Sequence, residues 1–159
     1  MHLHAYSWLG EKELFDHENL RRLPDRPLPP ITPEDEEHYR ALLDTFRRSE
    51  LPPMETAYWL LKSPSLIRAT FHEPKEAATW LGQQLTEHAP GFLSRGEANT
   101  ARLSHLLATT TTRLTQGADV SLGFYAGRTS FLSLAVVTCS PNPQAPDLPC
   151  PQQGDDTAI

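Results

Sequence analysis

The sequence predicts an α+β domain: five or six short helices packed on a small antiparallel sheet built around a C-terminal β-hairpin. Three observations carry this. Helix start signals and 3.6-residue apolar spacing recur from residue 32 to residue 117. Residues 119–140, DVSLGFYAGRTSFLSLAVVTCS, then change character, being rich in Val, Leu, Phe, Tyr, Thr and Ser with only Asp119 and Arg128 charged. At the other end, residues 1–8 alternate with period two, with His2, His4, Tyr6 and Trp8 on one side and Leu3, Ala5 and Ser7 on the other, the pattern of a short strand.

Taken in order, EKELFDHENLRRL (11–23) reads as a helix with Leu14, Phe15 and Leu20 inward and Arg21 and Arg22 suiting its C-terminal dipole. PDRPLPPITP (24–33) holds five prolines and is a stiff connector. Thr32 is an N-cap, Pro33 suits the first helical position, and Glu34, Asp35 and Glu36 complement the dipole. Tyr39, Leu42, Leu43 and Phe46 then form an apolar stripe on a helix that runs to about Ser49. A further helix is expected from Pro53 with Met54, Ala57, Tyr58 and Leu61. Ser63-Pro64 opens a short one through Leu66, Ile67 and Ala69, and Pro74 opens PKEAATWLGQQLTEH, with Ala77, Trp80, Leu81 and Leu85 inward and APG (89–91) as its end. Ser94-Arg-Gly-Glu97 reads as a capping box for a helix carrying Ala98, Leu103, Leu106, Leu107 and Leu114 and stopping at Gly117. Within it TTTT (109–112) reads as a solvated turn with a frayed end, because β-branched residues weaken helices.

GFYAGRTS (123–130) resembles a phosphate-binding loop in outline but fails two of its requirements. Three residues separate the glycines where the motif needs four, and the run that follows has no helical period to aim an N-terminus at an anion. It reads instead as a hairpin turn. With Gly127-Arg128 as the turn, Phe124 faces Phe131, Leu122 faces Ser133 and Val120 faces Ala135. One face then collects Val120, Leu122, Phe124, Phe131, Ala135 and Val137, and the other Tyr125, Leu132, Leu134 and Val136; a three-residue loop would swap one strand's sides. The second strand is apolar on both faces and outruns the first from Val136 to Cys139, so either HLHAYSW (2–8) or another protein must pair with it.

Residues 1–140 form a single globular domain in this reading and 141–159 a Pro-rich extended tail, its last eight residues mobile. With 159 residues the chain buries roughly two-thirds of its unfolded surface and needs no disulfide or metal to hold a core. A net charge of −6 argues against duplex DNA as a ligand. No apolar run spans a membrane, and the N-terminus has neither the basic nor the long apolar stretch of a signal peptide; the expected address is the cytoplasm. Arg outnumbers Lys 11 to 3 and Ile occurs only at 31, 67 and 159, a bias typical of a high-G+C bacterial genome.

The chemistry is sparse. His2 and His4 share a strand face at a spacing metals use, but no motif supplies a third and fourth ligand, and His17-Glu18 and His72-Glu73 lack the second His of a helical zinc motif. No metal and no cofactor are therefore expected. Cys139 and Cys150 read as free thiols, Cys139 as a small buried filler, with His88 or His105 as conceivable bases only through the fold. No catalytic residue is assigned. The function expected is a non-catalytic accessory subunit, in complex with another protein or with itself, beside an enzyme of bacterial specialised metabolism. Its interface would be Phe124, Tyr125, Arg128, Phe131, Leu132, Leu134 and Val136. The alternatives are a small-molecule binder or enzyme with a pocket between sheet and helices, using Tyr125, Arg128, a histidine and Cys139, and a winged-helix-like regulator.

Overall fold

In the computed structural model, which describes residues 1–153, a four-stranded antiparallel sheet of order β2-β1-β4-β3 organises the chain. The strands are β1 (His2–Glu11), β2 (Ala69–Phe71), β3 (Val120–Tyr125) and β4 (Ser130–Cys139). The helices are α1 (Lys12–Phe15), α2 (Glu18–Arg21), α3 (Pro33–Arg48), α4 (Pro74–His88) and α5 (Thr100–Thr115), with 3-10 turns at Thr56–Leu61, Pro64–Leu66 and Ala89–Gly91. This is the expected α+β architecture with its C-terminal hairpin. Among the described residues no helix is long and apolar enough to cross a membrane.

The overhang of β4 is filled from within the chain. β1 pairs with β4 along its full length on the edge opposite β3, from His2 opposite Cys139 to Glu11 opposite Ser130, and on the β3 edge past Val136 the Thr138 N–H donates to Asp119 Oδ1 and its carbonyl accepts from Asn142 Nδ2. The hairpin register differs from the two-residue-turn reading. Phe124 lies opposite Leu132 and Tyr125 opposite Phe131, and the Ala126 N–H donates to the Ser130 carbonyl across the three-residue loop Gly127-Arg128-Thr129. Gly127 has φ +146, which a side chain rarely adopts. Changing the loop by one residue exchanges the faces of one strand relative to the other. Val120, Leu122, Phe124, Leu132, Leu134 and Val136 therefore share one face with Leu3 and Ala5. Ser121, Tyr125, Phe131, Ala135, Val137 and Cys139 share the opposite face with His2, His4, Tyr6 and Trp8.

The first face is closed by α4 and α5. Ala77, Ala78, Leu81 and Leu85 of α4 and Leu114 of α5 pack on Leu3, Ala5, Val120, Phe124, Leu132, Leu134 and Val136, all buried. Phe92 extends this core, its ring stacked 4.7 Å from that of Phe124. The α5 cap is Asn99, whose Oδ1 accepts the N–H groups of Ala101 and Arg102; the Ser94–Glu97 contact belongs to the preceding turn. The threonine run does not fray. Thr110 is buried, and Thr109, Thr111 and Thr112 donate their hydroxyls to the carbonyls four residues back, which satisfies them inside the helix.

The second face is covered by shorter pieces. The helix expected over 11–23 is two single turns, because β1 takes Glu11 and Arg21 folds back to donate to the carbonyls of Phe15 and Pro52. The run after Pro53 is a 3-10 turn, too short between its prolines to nucleate an α-helix. It sets Trp59 against Tyr6, rings stacked at 4.6 Å. α3 has the expected Thr32 N-cap, which Asp35 completes as a capping box, but only Phe46 of its apolar stripe is buried. The Pro-rich segment is not an extended arm: residues 141–153 turn back on the sheet, burying Asn142 and Cys150. Much of the segment expected to be mobile, from residue 154 onward, lies outside the described residues.

Candidate metal centre

β1 and β4 bring the first pair of donors together. In an antiparallel pair, directly opposed residues point to the same face, so His2 and Cys139 sit side by side, with His4 two residues along on the same face. The returning segment supplies the fourth, Cys150. The four donor atoms lie within 4.8 Å of one another. His2 Nε2 and His4 Nε2 are 3.1 Å apart, and Cys150 Sγ lies 3.4 Å from His2 Nε2 and 3.6 Å from His4 Nε2. A tetrahedral zinc ion, with bonds of about 2.0–2.1 Å to nitrogen and 2.3 Å to sulfur, sets ligand atoms about 3.3–3.8 Å apart. Cys150 Sγ is at that spacing from both imidazole nitrogens, the nitrogens themselves are slightly closer at 3.1 Å, and all four donors lie within 4.8 Å.

Their surroundings suit an ion. His4, Cys139 and Cys150 are buried and His2 is half-buried. Burial, then the neighbouring His2, pushes His4 down to about 4, and burial likewise lowers His2, so both imidazoles are neutral, the form that binds metals. Burial, then Cys150, pushes the Cys139 thiol up to about 12. A dication bound by two thiolates and two neutral imidazoles has no net charge, which suits a low-dielectric pocket. His4 Nδ1 lies 2.9 Å from Thr70 Oγ1 on β2; an Nδ1–H donated there turns the Nε2 lone pair toward the cluster. The Tyr6 hydroxyl, buried in the same cluster as the two thiols, has no hydrogen-bond partner among the described residues. Both cysteines are free rather than bridged.

The residues expected to form the site are scattered. Leu132, Leu134 and Val136 are at most 1% exposed and belong to the chain's own core, as does Phe124. They are closed to a partner because β1 and the two long helices cover β4. Tyr125 and Arg128 are exposed at the hairpin tip beside α1, where Lys12 pairs with Asp16 and lies near the rings of Phe15, Tyr125 and Phe131, the last half-buried. Cys139 is not paired with His88 or His105, which belong to α4 and α5 on the opposite side of the sheet. The third and fourth donors that no motif supplied beside His2 and His4 are Cys139 and Cys150, brought in by the fold. Cys150 and His2 are 148 residues apart, so no local motif could join them. The one sequence signal was the His-x-His strand together with two cysteines bracketing a Pro-rich loop.

No known family model, no curated protein sequence and no solved structure matches the chain.

Proposed function

We propose that this chain is a metal-binding protein with a closed, structural centre of the zinc class, held by His2, His4, Cys139 and Cys150. The observation that carries this is the convergence of four donor atoms within 4.8 Å in a largely buried pocket. Two thiolates and two imidazoles select a borderline-soft ion over magnesium or calcium. Four protein ligands complete a tetrahedron and leave no position for water or substrate, which favours a structural role over catalysis. The test is titration of the metal-stripped full chain with cobalt(II). One equivalent should produce the intense visible bands of tetrahedral thiolate coordination, and zinc should then displace it. Cys150→Ser should weaken both, and Cys139→Ser should do the same if its buried position tolerates the change. A cobalt spectrum indistinguishable from the free ion would overturn the reading.

A second reading keeps the chain as a non-catalytic subunit of a complex. It is favoured by α3 and its approach, where Leu28, Ile31 and Leu42 are 86%, 52% and 45% exposed. Gentle purification of the tagged chain from its own host should then yield a stoichiometric partner that Leu42→Asp releases. A lone monomer would count against it.

A further inference from the structure

The Pro-rich segment is attached at two points of different kinds. Its root is Asn142, fully buried, whose Nδ2 donates to Asp119 Oδ1 and Oδ2 at 3.1 and 2.9 Å and to the Thr138 carbonyl at 2.9 Å. Asp119 Oδ1 also accepts the Thr138 N–H at 2.9 Å, so the root is locked to β4 with no part in the metal centre. Beyond the root the backbone bonds only to itself. Gln144 and Ala145 donate to Asn142, Leu148 to Ala145, and Gln153 to Cys150. Among the described residues no backbone hydrogen bond joins 143–153 to the sheet. What holds the far half down is Leu148, half-buried, and Cys150, whose sulfur contacts both histidines. Beneath it lies an apolar surface of Tyr6, Trp59, Leu60, Ala135 and Val137.

We propose that residues 143–153 are a metal-latched strap: loss of the ion detaches the segment from Cys150 onward to its root and opens the Tyr6–Trp59–Val137 surface, while Asn142 keeps the root in place. The inference rests on the metal-binding reading and adds what that centre controls. Five prolines in residues 141–151 supply few amide hydrogens to hold the segment in a sheet or helix. Among the described residues, coordination of Cys150 is thus the one strong tie between its far end and the body. The sheet does not share this dependence, because its other face is closed by apolar packing alone. The strap therefore opens without unfolding the domain.

Hydrogen exchange with mass spectrometry on the full chain tests this, comparing protein loaded with zinc chloride and protein stripped with a chelator, with bound zinc counted in each sample. In the stripped protein, amides at Leu148 and Gln153 should exchange at least tenfold faster while those of β1 and β4 are unchanged. Cys150→Ser in the presence of zinc should reproduce the stripped pattern. One zinc per chain with equal exchange in both states would overturn the strap and leave the metal site standing. Faster exchange throughout β1 and β4 on stripping would overturn it too, since the ion would then hold the whole fold. A chain that retains no zinc overturns the metal reading, and the strap with it.

Discussion

The two faces of one sheet are closed by different means. On one, α4 and α5 lay Ala77, Leu81, Leu85 and Leu114 over Leu3, Leu134 and Val136, all apolar side chains. On the other, 3-10 turns, α1 and a Pro-rich segment bury Tyr6 with an unpartnered hydroxyl, two thiols, a histidine and, at the edge of this layer, Lys62. The first face needs only the hydrophobic effect, because long helices satisfy their own backbone and present continuous apolar stripes. The second is made of segments too short to do either, and the polar groups beneath it need partners. A four-ligand ion would supply them for the two thiols and the histidine, and the candidate site lies on this side of the sheet.

The largest expected effect should break the first face. Leu81→Ala, at a fully buried position, should cost about 2–5 kcal/mol by lost transfer energy plus cavity. The loss in thermal unfolding should be the same with zinc or with chelator, because Leu81 belongs to the core on the far side of the sheet. A loss that depends on zinc would join the two faces energetically and erase the contrast.

A smaller effect is expected at Lys62, whose Nζ donates to the Phe46 carbonyl at 2.8 Å and is 2% exposed. Burial, then the nearby Arg21, pushes its ammonium down to about 8. Between there and the ordinary value of 10.5 the unfolded chain binds more protons than the folded one, so stability rises as pH climbs through that window. Lys62→Met removes a penalty of about 3 kcal/mol below it and leaves one carbonyl unpaired at a cost of about 1 kcal/mol. The variant should therefore melt higher at pH 7, and the gap should narrow toward pH 10. A constant gap would mean that the amine is charged throughout.

The finest probe is Thr70→Val, which removes the group facing His4 Nδ1. It should weaken zinc about 10- to 100-fold in competition with a chromophoric chelator and leave the melting temperature of the stripped protein unchanged. Unchanged affinity would show that Thr70 does not orient the ring.

Legibility followed the same division. The α4 boundaries, the Thr32 cap of α3 and the Gly117 stop, with φ +79, were readable because each signal lies within a few residues of its effect. β2 was missed: three residues, Ala69–Phe71, carry no period, and they form a strand only because Leu3–Ala5 lie beside them. The apolar stripe of α3 was legible but its burial was not, since an amphipathic pattern does not say whether anything packs against it.

By itself the sequence determined the class of fold, the long helices, the existence of the hairpin and the absence of a phosphate loop, all set by spacing and backbone preference along short stretches. The tertiary structure alone decided the hairpin's parity, which turns on one residue in the loop, and the partner of β4, which was β1. It also decided which donors converge in the candidate site. His2 and Cys139 meet through strand register and Cys150 through the return of a segment rooted at Asn142, and such meetings are properties of closed chain topology, invisible in any window of residues.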